Sequence, residues 1–110
     1  MKTIEILNQQ VRISFNMKVQ LTYEEIADRT FSLTDLSQTK YRLTLYYATI
    51  IANNPDTTIQ FDDLLADNSL DTIKALDEAV GEAMKEWYHI PEVAEEPTKE
   101  EENSEKKEGN

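Results

Sequence analysis

Residues 2–26, KTIEILNQQVRISFNMKVQLTYEEI, decide the fold. Ile4 and Ile6 alternate with Thr3 and Glu5. After Asn8-Gln9-Gln10 the pattern resumes, with Val11, Ile13 and Phe15 on one face and Arg12 and Ser14 on the other. A two-residue period sends successive side chains to opposite faces of a strand, so these runs predict two half-buried strands. The link between them is short enough for a hairpin, although it carries no glycine to select a turn type. From Asn16 the reading divides. The alternation continues through Met17, Val19 and Leu21, which extends the strand to residue 21. Asn16 is also a good helix N-cap, and Val19, Tyr23 and Ile26 recur at helical spacing. Thr22 and Glu25 offer a later start as a capping box. All three readings place a helix over 23–28.

Downstream the pattern is helical. Ser37 or Asp35 can cap a second helix running to about Asn53, where Asn53-Asn54-Pro55 ends it because proline lacks an N–H and its ring obstructs the preceding turn. This helix carries two apolar stripes: Leu43, Tyr46, Tyr47 and Ile50 on one side, and Tyr41, Leu45, Ala48 and Ala52 on the other. A helix apolar most of the way round is either central in its domain or lends a face to a partner. Phe61, Leu64 and Leu65 predict a short third helix. Ser69 is placed to cap a fourth over 70–88, with Ile73, Leu76, Val80, Ala83 or Met84, and Trp87 on its apolar stripe. Asp71 in its first turn and Lys85 in its last suit the helix dipole, and Pro91 closes it. The order ββαααα predicts an α+β domain, an N-terminal β-hairpin packed on a small cluster of three to four helices.

Composition sets the limits of that domain. The chain has 110 residues, no cysteine, 22 acidic against 11 basic side chains and a formal net charge of −11. The length suits one domain. The last twenty residues, PEVAEEPTKEEENSEKKEGN, hold two of the three prolines and carry a net charge of −5. Such a segment buries too little apolar surface to offset the entropy of ordering it, so 91–110 is expected to be a disordered acidic tail behind a domain spanning 1–90. That domain has a net charge of −6. Lack of cysteine excludes disulfides, thiolate metal sites and a cysteine nucleophile, and fits a cytoplasmic protein. The negative charge argues against binding to nucleic acid or anionic lipid. No apolar run approaches the roughly 20 residues that span a bilayer, so no membrane role is expected. The N-terminus lacks the apolar core of a signal peptide.

Catalytic patterns are sparse. Asp67, Ser69, Asp71 and Glu78 fall at positions 1, 3, 5 and 12 of a calcium loop, but Thr72 stands where the sharp turn needs glycine. The same residues read fully as the start of an amphipathic helix. Glu86 and His89 have the Glu-x-x-His spacing of di-iron bundles, yet that design takes two copies and the chain has a single histidine. Two glycines cannot make a phosphate-binding loop, and no serine sits in a nucleophile elbow. Neighbouring acids such as Asp62-Asp63 and Glu24-Glu25 point to different sides of a helix. No enzyme, cofactor or metal is expected.

The order of segments resembles the small tail assembly chaperones of long-tailed bacteriophages and prophages, notably those of Bacteroidetes phages. The resemblance is carried by the hairpin from Met1, then Phe15-Asn16-Met17-Lys18 leading into Tyr23-Glu24-Glu25-Ile26, with Phe31 beyond. It continues through Tyr46-Tyr47, Ile50-Ile51-Ala52-Asn53-Asn54-Pro55-Asp56 and Phe61-Asp62-Asp63-Leu64-Leu65. It covers residues 1–90, whereas the tail matches only in composition. One departure is Asp28-Arg29, where relatives often carry a glycine after the first helix. The resemblance implies a first helix from about Met17, capped by Asn16, and this reading is adopted over the longer strand. It implies no catalysis. Such proteins bind the helical tape-measure protein, keep it soluble, help recruit the tail-tube protein, and are absent from the finished virion. They act in the bacterial host cytoplasm, and a homo-oligomer along the tape measure is compatible with that role. In many relatives a −1 frameshift adds a C-terminal extension, and Glu105-Lys106-Lys107 can be encoded by a slippery GAA-AAA-AAG. Helical spacing, not a family motif, makes Leu43, Tyr46, Tyr47 and Ile50 the expected gripping surface, with Trp87 and its neighbour Tyr88 a second patch. Two other functions fit an acidic domain of this size: a nucleic-acid mimic that inhibits a basic partner, and another phage head–tail structural component.

Overall fold

Alternation over residues 2–13 becomes a two-stranded antiparallel sheet, β1 (Lys2–Ile6) and β2 (Gln9–Ile13), with Ile4 opposite Val11 and Ile6 opposite Gln9. In this computed structural model, which describes residues 1–66 and 69–89, the strands are joined by the two-residue turn Leu7-Asn8. Both turn residues have positive φ, 50° and 64°, the mirror-image geometry whose twist matches that of paired strands. The turn therefore lies one residue earlier than the Asn8-Gln9-Gln10 link of the sequence reading. Leu7 tolerates the left-handed region, at a cost of about 1–2 kcal/mol, while its side chain packs against the core.

The first helix, α1 (Met17–Ala27), starts where Asn16 caps it, the Asn16 Oδ1 accepting from the Val19 N–H at 3.1 Å. It ends on Asp28, which takes a left-handed conformation (φ 58°) and donates its N–H to the Glu24 carbonyl. Aspartate is among the few side chains tolerated there, so the missing glycine is accommodated. Ile26, expected on the buried stripe, is exposed; Val19 and Tyr23 carry the inward face.

The second helix, α2 (Thr39–Asn53), begins later than Asp35 or Ser37 would allow, because Leu33–Ser37 form a separate 3₁₀ turn. Gln38 occupies the N-cap without a side-chain hydrogen bond. Asp35 is buried instead, accepting from the Tyr23 hydroxyl at 3.1 Å and from Arg29 at 3.1 Å. Helix α3 (Phe61–Leu64) is one turn, closed by reciprocal bonds between Gln60 and Asp63. Helix α4 (Leu70–Tyr88) matches the expected 70–88 span. Ser69 precedes it but does not cap it: its hydroxyl donates backward to the carbonyls of Leu64 (2.9 Å) and Ala66 (2.8 Å). The helix ends on His89, also left-handed. The acidic tail expected over 91–110, Pro91 and the first calcium-pattern residue, Asp67, lie outside the described residues.

The domain is α+β, with α2 at its centre, touching α1, β2, the 3₁₀ turn, α3 and α4. Val11, Ile13, Val19, Tyr23, Leu45, Ile50, Ile59, Leu64, Leu76 and Val80 are fully buried around it. Each such side chain contributes about 1.5–3 kcal/mol relative to its exposed state. Asn53 and Asn54, at the C-terminal end of α2, close the outer edge of β2. The Asn54 amide accepts from the Arg12 N–H (2.9 Å) and donates to the Arg12 carbonyl (2.9 Å), while Asn53 donates to the Ser14 carbonyl (2.9 Å). The sequence Asn53-Asn54-Pro55 thus does more than stop a helix: it locks that helix to the sheet.

Candidate partner-binding surface

The expected gripping stripe on α2 is split by the fold. Tyr46 and Ile50 are buried, and Leu43 and Tyr47 are half-buried against the core. The Tyr46 hydroxyl donates to Asp77 of α4, which is how a phenol is accommodated in an apolar interior. Burial and this bond to a carboxylate push the Tyr46 pKa well up. Tyr47 meets the Phe61 ring edge-on, with centroids 5.6 Å apart. The second stripe is no freer: Leu45, Ala48 and Ala52 are buried, and Tyr41 lies under the Arg29 guanidinium at 4.3 Å. The assignment of Tyr46 and Ile50 to a surface is therefore corrected. Both stripes are core because α1 covers one side of α2 while the hairpin and α4 cover the other.

Trp87 is different. It is 38% exposed, as is Tyr88, and both rings lean on Phe15, with centroid separations of 6.1 and 6.0 Å. Phe15 also meets Phe31 at 5.9 Å, and Phe31 meets Tyr23 at 5.3 Å. This chain of rings ties the last turn of α4 to the segment that enters α1. On α1 itself, Met17 (54% exposed) and Leu21 (59%) stand one turn apart on the face opposite Val19 and Tyr23. The sequence reading did not assign Met17 and Leu21. Their signal was present: once Asn16 is the cap, the alternation of 17, 19 and 21 puts Val19 inside and both neighbours outside.

Beneath these rings lies a polar anchor. Tyr23 is buried, and burial together with its bond to the Asp35 carboxylate pushes its pKa up to about 12. The tyrosine stays protonated and donates, which holds α1 to the 3₁₀ turn.

A polar cleft of about 480 Å³ opens on the outer face of the hairpin, lined by Thr3, Gln9, Gln10, Arg12, Asn54, Asp56 and Thr57. Its lining contains no histidine, serine or lysine, and the Asn54 amide is already committed to Arg12 and to the Ile50 carbonyl. Among the described residues, no group of three or more His, Cys, Asp or Glu side chains could hold a metal ion, and no helix is long and apolar enough to cross a membrane. The chain matches no family model, no curated protein and no solved structure.

Proposed function

We propose that this chain is a non-enzymatic assembly chaperone of a long phage tail, binding the helical tape-measure protein, keeping it soluble and helping to recruit tail-tube subunits. The reading rests on the resemblance of residues 1–90. The observation that carries it is a set of exposed apolar side chains, Met17 and Leu21 on α1 and Trp87 and Tyr88 on α4. Exposed apolar groups of this kind mark partner surfaces on soluble domains. An amphipathic helix laid in a groove is held by such anchors at successive turns. The net charge of −11 supplies repulsion between copies coating a long polymer.

The test is the nucleotide sequence from codon 100 into the next gene. A slippery heptamer at Lys106-Lys107, an overlapping −1 frame and then a very long helix-coding gene are expected. A long helical neighbour without the frameshift would leave a one-product chaperone. Absence of both the frameshift and a long helical neighbour would overturn the reading.

A second reading, inhibition of a basic partner by an acidic mimic, is favoured by one observation. Glu78, Glu82 and Glu86 recur every four residues along α4, and all three are exposed. It predicts binding that collapses with salt, whereas capture of a helix by apolar side chains survives it.

A further inference from the structure

The two edges of the hairpin are finished differently. In an antiparallel pair, residues alternate between those whose N–H and C=O point at the partner strand and those whose groups point away. Arg12 fixes the phase here, because its N–H and carbonyl both bond to the Asn54 side chain beyond β2. Its cross-strand partner is Thr3, and the next pair in the same phase is Glu5 with Gln10. The backbone groups of Thr3 and Glu5 therefore point outward from β1. Along β2 the outer edge is closed by Asn53 and Asn54, and Gln9 bonds to Thr57 and Thr58 alongside. Along β1, among the described residues, no side chain or loop bonds to the outward groups of Thr3 and Glu5, and both residues are exposed. An unpaired strand edge of this kind is a template for another strand.

Acidic side chains predominate around this edge, although Lys74 and Lys85 also lie on α4 between Asp71 and Glu86. Glu5 and Asp71 line a cleft at the turn end of β1, and Glu82 and Glu86 line a second cleft at its other end. Lys2 interrupts the row, but its ammonium is held by Glu82 at 3.0 Å, with Glu78 adding to the local negative field. The acidic row from Asp71 to Glu86 runs about 22 Å along α4 at 1.5 Å per residue, close to the roughly 17 Å of a five-residue strand.

We propose that the free edge of β1 is a strand-addition site for an extended, basic segment of a partner protein, one carrying lysine or arginine at alternate positions. Its backbone pairs with Thr3 and Glu5, and its cations face the acidic row of α4. Backbone pairing supplies the affinity, and the alternate side chains supply the choice of partner. The site lies on the hairpin, apart from the Phe15–Trp87 rings, and does not depend on the chaperone reading.

The experiment uses the full chain, labelled for NMR, and a blocked seven-residue peptide alternating threonine and lysine. Saturating peptide is expected to protect the Thr3 and Glu5 amides from hydrogen exchange at least tenfold. Raising salt from 50 to 200 mM is expected to weaken binding severalfold. The same peptide with glutamate for lysine, or N-methylated at alternate residues, is expected to give no protection. Thr3→Pro removes an outward N–H without breaking the ladder to β2 and is expected to abolish the effect; the N-methylated peptide keeps the test sound should that variant fold poorly. Absence of saturable protection up to millimolar peptide would overturn the proposal. So would protection in the free chain, whether concentration-dependent (a second copy on the edge) or not (the chain's own residues).

Discussion

Replacing Asn54 by alanine isolates the contact that joins α2 to the sheet. The side chain is 9% exposed and makes three hydrogen bonds, two of 2.9 Å with the Arg12 backbone and one of 2.8 Å with the Ile50 carbonyl. Alanine leaves the Arg12 N–H and C=O facing a vacated, partly buried edge. Each net hydrogen bond is worth about 0.5–1.5 kcal/mol, and an unsatisfied buried partner adds about 1–3 kcal/mol. Water reaching the cleft beside Arg12 restores part of this, so the expected loss is about 2–3 kcal/mol. For a domain of this size that lowers Tm by about 8–24 °C. Asn54→Asp sharpens the test. Aspartate keeps the acceptor for the Arg12 N–H but turns a carboxylate on two carbonyl oxygens, so it should be no better than alanine. If Asn54 were merely a turn-former before Pro55, aspartate would replace it at little cost. Urea and thermal unfolding of both variants decide the matter. A loss below about 0.5 kcal/mol for alanine, the level of ordinary surface changes, or near-native stability for aspartate, would refute the edge-closure account.

Three further outcomes follow from the fold. Asn8→Gly should raise stability by about 0.5–1 kcal/mol, read as a higher urea midpoint at unchanged slope, since glycine suits the second left-handed position of the turn best; a loss would contradict the turn geometry. Tyr23 has its pKa raised to about 12, so the folded state keeps a proton there that the unfolded chain releases near its ordinary value. Its stabilising effect is complete below about pH 10 and is lost as pH rises to 12. Tyr46 acts in the same direction. Tyr23→Phe should flatten the fall in stability over that window, and an unchanged pH profile would contradict the Tyr23–Asp35 bond. Ile50→Ala should cost about 2–5 kcal/mol as a core truncation, while Leu21→Glu should stay within about 0.5 kcal/mol of native stability; thermal melts separate the two.

The sequence made the hairpin legible because its faces are so unequal: Ile4 and Ile6 against Thr3 and Glu5 leave one way to bury the strands. The cap at Asn16 was equally local. What escaped was set by distant neighbours. Asp35 looks like a cap until Tyr23 and Arg29 are seen to converge on it from α1 and the loop beyond. Ser69 sits at a cap position, yet its hydroxyl finds nearer acceptors at Leu64 and Ala66. Two apolar stripes on α2 could not be ranked from spacing, because spacing says how a helix is amphipathic and not how many elements surround it. With α1 on one side and the hairpin and α4 on the other, both stripes are consumed. The exposed apolar side chains fall instead on α1, where Leu21 is conspicuous only after the helix start is settled, and on the last turn of α4.

The most direct test of the proposed function is a solubility assay with the helical tape-measure protein that the proposal assigns as its partner. The two are mixed at equal concentrations, and soluble tape-measure protein is quantified after centrifugation. The account predicts that the native chain holds it in solution at high salt. It predicts that Met17→Glu combined with Leu21→Glu loses this activity while melting at the native temperature. A double variant that protects as well as the native chain would contradict the assignment of that face of α1 as the gripping surface.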